Sequence, residues 1–423
     1  VKIAVIGAGI AGNVAAWHLC RRHEVTVFEA GSHVGGHTHT HEVEQDGRHY
    51  AVDTGFIVYN DWTYPNFVRL LEDLGVASQD SSMSFSVRDE RSGLEYNGTS
   101  LNGLFAQRAN VLRPSFLRML RDIVRFNREA PGLLAQTKEP ALGEYLRAER
   151  YGRHFIEHYL IPMGAAIWST DPALMLAFPA RYFVRFLHNH GMLSVNARPQ
   201  WRVIQGGSAR YVEKLTAPFR DRIRLNAPIA WVRRMPGHVL IKPCEGEIAR
   251  FDAVFLACHS DQALALLRDA TAAEREVLGA IGYQRNEAVL HTDTALMPRS
   301  RRAWAAWNYH LPDGPRHGAT LTYNMNILQS LDAPRPFLVT LNRSDAIDER
   351  HVIRRIAYDH PLYTPAAVAA QARHHEINGV QRTWFCGAYW GFGFHEDGVV
   401  SALKALEHFE RHGHAQRALS RAS

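Results

Sequence analysis

The feature that most constrains this chain is a glycine pattern caught between two kinds of periodicity. Val1 to Ile6 is a short apolar run suited to a buried parallel strand, and a helical pattern follows through about Arg22. Between them stands Gly7-Ala8-Gly9-Ile10-Ala11-Gly12. In a strand–turn–helix unit, Gly7 permits the tight turn and Gly9 lets the backbone approach a pyrophosphate. Gly12 lets the helix pack close to the strand, and Ala11 is counted with the glycines as cofactor-binding. The free N–H groups at the helix start then face the phosphates. A second buried strand, Val25 to Glu29, ends on an acid seventeen residues after Gly12. A carboxylate there is placed to accept from ribose hydroxyls, and it repels a 2′-phosphate. A dinucleotide-binding βαβ unit is the expectation, and NADP at this site is disfavoured.

Gly35-Gly36-His37-Thr38 follows soon after Glu29. With this pair the sequence resembles the flavin amine oxidase superfamily, which includes monoamine oxidases, phytoene desaturases and protoporphyrinogen oxidases. In that superfamily a Gly-Gly pair after the acidic strand end holds the chain close to the FAD pyrophosphate. His37 stands where the family usually has an Arg. Val52-Asp53-Thr54-Gly55 resembles the segment beside the isoalloxazine. Trp201 with Gly206-Gly207-Ser208 resembles the second Gly-Gly turn. Trp384-Phe385-Cys386-Gly387-Ala388, with Glu396-Asp397-Gly398-Val399 beyond, resembles the C-terminal FAD motif. There a helix starting near Gly398 is expected to point its N-terminus at the flavin pyrimidine.

The resemblance implies a two-domain α/β, amine oxidase-like fold. Its discontinuous Rossmann-type FAD domain would comprise residues 1–80, 195–260 and 375–423. Its mixed α+β substrate domain would comprise 81–194 and 261–374. Leu101 to Leu146 and Tyr151 to Gly191 read as mostly helical, and residues 280–345 alternate in a β-like manner. No second Gly-x-Gly-x-x-Gly lies between a strand and a helix. A separate NAD(P)H domain is therefore not expected, and the substrate itself should reduce the flavin.

Val52 to Asn60, Ile161-Pro162-Met163, Ala166-Ile167-Trp168-Ser169 and Gln200 to Tyr211 look like a bacterial subgroup of the superfamily. Its members resemble desaturases of furan fatty acid synthesis and polyunsaturated fatty acid isomerases. That resemblance implies a lipid or fatty acyl substrate and hydride transfer to flavin N5, giving a double bond. Oxygen or a quinone would reoxidise the flavin. A redox-neutral double-bond isomerase and an amine oxidase are the alternatives.

Tyr389, Trp390, Phe392, Phe394 and His395 sit between the last strand and the last helix. They are candidates for the wall of a substrate channel at the flavin edge, with His395 as a candidate acid or base. His37, His39 and His41 alternate along one strand face. No Cys or carboxylate cluster accompanies them, and a metal site is not expected. Cys386, beside Gly387, invites a covalent flavin link, but inside a buried strand it packs as a small hydrophobe, and non-covalent FAD is the expectation.

The four cysteines, Cys20, Cys244, Cys258 and Cys386, form no C-x-x-C spacing, so reduced, cytosolic thiols are expected. The chain opens on a strand rather than a signal peptide, and no apolar run reaches transmembrane length. Membrane contact would be peripheral, at the inner face of the cytoplasmic membrane. The formal net charge of +6 favours an anionic partner. Arg118, Arg121, Arg125 and Arg128 recur at helical spacing, beside Leu117, Leu120 and Val124. Such a helix can rest on anionic lipid or can be a solvated face packing inward. Nucleic-acid binding lacks a motif.

Overall fold

The strand Lys2–Ile6 is flanked on both sides. It pairs in parallel with Glu24–Phe28 and with Ala253–Leu256. Ile3 and Val5 point to one face and Ala4 and Ile6 to the other, each into its own core. A strand buried on both faces tolerates no polar alternation, which is why its sequence is a continuous apolar run. The computed structural model describes residues 1–194, 198–314 and 318–422.

The five-stranded parallel sheet runs in the order Ile223–Arg224, Glu24–Phe28, Lys2–Ile6, Ala253–Leu256 and Thr383–Phe385. Its strands thus come from the beginning, the middle and the end of the chain. One face is covered by the helices Ile10–Leu19 and Ala209–Thr216 and by the last helix, His395–Ala422. The other face carries a three-stranded antiparallel sheet spanning Ile229 to Phe251 and the helices Ser260–Leu266 and Ala272–Gly279. These last two helices lie beyond the expected boundary at residue 260, yet Ala263, Leu267, Val277 and Leu278 pack on this sheet.

The buried guanidinium of Arg234 ties the antiparallel sheet to Ala272–Gly279. It donates to both carboxylate oxygens of Glu274, at 2.5 and 2.9 Å, and to Asp269 at 3.1 Å.

A seven-stranded sheet forms the second layer system. Its order is Val352–Pro361, Tyr283–His291, Leu338–Leu341, Leu321–Asn324, Trp307–Leu311, Phe85–Asp89 and Glu95–Asn97. All its pairings are antiparallel except that of Trp307–Leu311 with Phe85–Asp89. Helices between Leu101 and Asn189 close over part of it, around Phe116, Phe126, Phe155 and Phe183. The helical character expected over 101–146 and 151–191 and the β character expected over 280–345 are present. The ten-residue strand Val352–Pro361 is not evident in the sequence. It is an Arg-rich edge strand, mostly half-buried or exposed, so it lacks a clean alternation. Among the described residues no helix is long and apolar enough to cross a membrane.

Candidate active site

The glycine turn has the local geometry its chemistry needs. Gly7 sits at φ +105°, and a β-carbon there would lie 2.7 Å from Ala257 O. A β-carbon on Gly12 would lie 1.9 Å from Gly7 O, so only glycine lets the first helix come this close to its strand. A β-carbon on Gly9 would meet nothing within 4 Å. Gly9 therefore presents bare backbone to an open groove at a helix N-terminus.

The second pair is stitched to the first. Gly35 N–H donates to Ala8 O at 2.8 Å, and a β-carbon on Gly36 (φ +61°) would lie 3.0 Å from Gly9 Cα. Glu29 accepts from Ala8 N–H and Gly31 N–H, both at 2.8 Å, which holds its carboxylate at the groove's end.

The groove encloses about 640 Å³. It runs from Phe28 and Glu29 past Gly9, Gly36 and His37 to Gly387, Tyr389, Phe394 and His395. An acid at one end, a glycine turn at a helix start in the middle and rings at the far end fit the ribose, pyrophosphate and isoalloxazine of FAD in that order.

The C-terminal motif lies at the far end with one correction. The last helix begins at His395, three residues before the expected Gly398. Asp397 accepts the Phe394 N–H at 2.9 Å, a cap-box bond that makes Phe394 the helix cap. Gly398 N–H already donates to Phe394 O, and a β-carbon on Gly398 would lie 2.6 Å from Ile10 Cγ2. Gly398 thus lets the last helix pack against the first. Val399 is part of the core shared with Val14 and Ala15. Burial pushes the Asp397 carboxyl up to about 6. The side chains of Asp397 and Val399 serve the helix and the core, and the helix N-terminus is what faces the groove.

Asp53 is fully buried and holds three segments together. It accepts from Thr40 Oγ1 (2.6 Å), Ser208 N–H (3.0 Å), Ser208 Oγ (2.7 Å) and Gln329 Nε2 (3.1 Å). Burial pushes its carboxyl up to about 6, against these hydrogen bonds. Thr54 and Gly55 face a small cavity instead. Thr54 Oγ1 lies 2.8 Å from Tyr358 OH, and a β-carbon on Gly55 would meet His37 O at 2.0 Å.

Thr38 is buried, and its hydroxyl lies 2.6 Å from Tyr211 OH and 2.9 Å from His395 Nε2. Tyr211 OH closes the triangle, 3.0 Å from the same nitrogen. The His395 ring stacks on Phe56 at 3.5 Å. Burial pushes its pKa down to about 3, so the imidazole is neutral at ordinary pH. Tyr389 is buried over Gly387 and lines the groove. Phe392 lines the small cavity, and its carbonyl accepts Trp168 Nε1–H at 3.1 Å. Trp390 packs on His374, 4.2 Å between ring centroids, and lines none of these spaces.

Several site residues escape the sequence. His37 meets Tyr358 at 5.0 Å and His360 at 5.3 Å, with His259 at 6.3 Å. Burial lowers all three imidazoles, His37 to well below its ordinary value and His360 to about 4. A cluster of neutral rings therefore stands where the family usually carries a cation. The i, i+2 spacing of Tyr358 and His360 on one strand face is the one signal that could have found them. Among the described residues no group of His, Cys, Asp or Glu is arranged to hold a metal ion. The Cys386 thiol is buried, and burial raises its pKa.

Three spaces adjoin one another. The small cavity, about 150 Å³, shares His37, Tyr358, His360, Phe394 and His395 with the groove. It shares Val58, Ile167, Trp307 and Phe394 with a chamber of about 390 Å³. Met83, Phe85, Tyr96, Tyr159, Met163 and Phe186 line that chamber further out. No Asp or Glu lines either space among the described residues, and Arg198 at the chamber's rim is the one arginine or lysine.

The overall fold is similar to that of cyclohexylamine oxidase from Brevibacterium oxydans IH-35A, with a TM-score of 0.71 at 15% identity, covering 97% of this chain and 99% of that one. It is also similar to wild-type putrescine oxidase bound to putrescine (TM-score 0.66, 13% identity, 96% and 99% covered). A third similar structure is the CLA-producing fatty acid isomerase from P. acnes (TM-score 0.65, 16% identity, 96% and 98% covered). No curated protein matches the chain in sequence. The sequence profile of the flavin containing amine oxidoreductase family matches residues 10–317. With the glycine turn, the acid and the groove in the order FAD requires, the chain belongs to the flavin containing amine oxidoreductase family and is an FAD-dependent oxidoreductase.

Proposed function

We propose that this enzyme oxidises a lipid acyl chain, methylated or unsaturated, to introduce a double bond. The observation that carries this reading is the adjoining chamber and small cavity beside the groove, mainly apolar and lined by no carboxylate among the described residues. A protonated amine buried in such a space would lack a counter-charge, which is costly. An acyl chain gains about 0.8 kcal/mol for each CH₂ it buries there. When bound, FAD supplies a hydride acceptor at its N5. The protein orients the chain: Trp307, Ile167 and Phe394 confine it where chamber meets cavity, and His37, His360 and His395 surround the reacting carbon without charge. A hydride would leave one carbon for bound FAD, the neutral imidazole of His395 or His360 would take the proton from the adjacent carbon, and oxygen or a quinone would take up the electrons afterwards.

One observation favours a second, redox-neutral reading. The imidazoles of His360 and His395 are pushed down to about 4 and about 3, so they are weak bases for the proton that desaturation releases. A double-bond isomerase, returning hydride to another carbon, loses no net proton.

The test is the visible flavin spectrum on anaerobic mixing with unsaturated and methyl-branched phospholipids. Bleaching with a new double bond in the recovered lipid supports desaturation. Shifted double bonds without bleaching support isomerisation. Bleaching by amines and not by any acyl lipid overturns both.

A further inference from the structure

Five exposed large apolar side chains, the three most exposed of the described residues among them, fall close together in the chain. Leu112 is 85% exposed, Leu101 76%, Val124 63%, Val111 48% and Leu117 44%. All five fall in the stretch made of the turns Leu101–Leu104 and Arg108–Leu112 and the helix Pro114–Glu129. Single exposed apolar residues need no explanation, but a run of them marks an interaction surface.

The same stretch is basic. Residues 98–129 hold six arginines, Arg108, Arg113, Arg118, Arg121, Arg125 and Arg128, against two acids, and one of these, Glu129, pairs with Arg125 and Arg128 at the end of the helix. The other, Asp122, is buried and accepts the Gly152 N–H at 2.9 Å. On the helix, Leu117, Arg121, Val124 and Arg128 follow one another down the outward face, while Phe116, Met119 and Phe126 face the core. The outer face therefore alternates apolar and cationic side chains, the composition of a surface that lies in an anionic lipid interface.

The surface adjoins the chamber. Gly98 and Thr99 are exposed and form part of the chamber's wall, and Ser100 after them caps Leu101–Leu104 by accepting the Gly103 N–H at 3.1 Å. Tyr96 lines the chamber, and its ring meets Phe116, on the inner face of the helix, at 5.7 Å. Arg198 stands exposed on the same rim.

We propose that residues 101–128 dock the enzyme on an anionic phospholipid surface, so that the chamber opens at the membrane and takes acyl chains from it. The feeding role rests on the acyl-lipid reading above, whereas the docking itself does not.

The experiment uses the full-length, flavin-loaded protein in flotation with vesicles of phosphatidylglycerol or of phosphatidylcholine, at low and high salt. Two variants are compared, Leu112→Ser with Val124→Ser, and Arg113→Glu with Arg121→Glu. None of these side chains lines the chamber or the groove. Binding to phosphatidylglycerol is expected to exceed that to phosphatidylcholine by about tenfold or more, and each variant is expected to lose roughly tenfold. Unchanged flavin content shows that the variants fold.

Variants that float like the parent overturn the proposal, as does a parent that ignores phosphatidylglycerol. A dimer seen by sedimentation velocity, dissociated by Leu112→Ser with no vesicle binding, also overturns it, since the patch would then cover a second copy. Turnover of a detergent-dispersed acyl substrate separates the two ideas. If the patch binds vesicles but no acyl lipid reduces the flavin or has its double bonds moved, docking stands and the acyl reading falls.

Discussion

The hydroxyl of Thr38 lies 2.9 Å from Nε2 of His395, although 357 positions separate them in the chain. Thr38 follows the Gly-Gly pair and His395 opens the last helix, so this contact ties the second glycine turn to the far end of the groove. Its pH dependence follows from burial. His395 is pushed from 6.5 down to about 3 in the folded protein. Between these values the unfolded chain binds a proton that the folded one does not. The stability from burying neutral His395 is thus complete above 6.5 and lost as pH falls towards 3. The expected slope is about 1.4 kcal/mol per pH unit for each such histidine. Denaturant melts between pH 7 and 4 check this, and His395→Gln is expected to flatten the curve. A variant with the parent's acid sensitivity would remove His395 from the account.

Gly9 and Gly12 stand three positions apart and are expected to respond oppositely to alanine. At Gly12 the new carbon would sit 1.9 Å from Gly7 O, which forces helix and strand apart. The expected cost is about 3 kcal/mol or more, seen as a lower Tm and loss of flavin together. At Gly9 the new carbon meets no protein atom, and the backbone (φ −75°) suits alanine. Gly9→Ala should melt within about 0.5 kcal/mol of the parent without flavin. Its flavin-to-protein ratio should nevertheless fall, because the methyl occupies the space the pyrophosphate needs.

These glycines were legible in the sequence because their task is local: a turn and a close approach need a particular residue at a particular offset. The same holds for Glu29 at a strand end. Other parts of the site depend on distant convergence. His259 and His360 reach His37 from segments more than two hundred residues away, and beyond the i, i+2 spacing of Tyr358 and His360 nothing near the three announces it. Acids were the residues most easily misread. Asp53 and Asp397 lie inside family motifs and look like ligands, but one clamps Ser208 to Thr40 and the other caps a helix. A one-dimensional pattern does not say whether a carboxylate faces a groove or the backbone behind it. Trp390 illustrates the same limit, since its neighbours Tyr389 and Phe392 reach the cavities while it packs on His374.

Arg234 tests how the sheet of residues 229–251 is held to the cofactor-binding core. Its side chain is 1% exposed and that of Glu274 is 0% exposed. Arg234→Met leaves a buried carboxylate without its partner, which is expected to cost about 3–5 kcal/mol. Replacing both residues removes the orphaned charge, so Arg234→Met with Glu274→Met should recover much of that loss. Chemical denaturation of the two single variants and the double closes the cycle. Equal losses in Arg234→Met and the double variant would mean that the pair is not the source of the cost.

Met163 offers a direct test of the substrate path. It lies on the helix Ile161–Trp168, is half-buried, and faces the chamber between the rim and the small cavity's Ile167. Met163→Trp places an indole into a space of about 390 Å³ without touching the groove that holds FAD. Flavin content and spectrum should therefore match the parent. On the acyl reading a long chain occupies this part of the chamber, so kcat/KM for it should fall at least about tenfold, the equivalent of 1.4 kcal/mol. A short substrate that fits within the small cavity should lose much less, because it never occupies the filled region. Steady-state rates with a chain-length series distinguish the cases. If long and short substrates fall together, the indole has disturbed the site as a whole. If neither falls, the acyl chain does not run through this chamber.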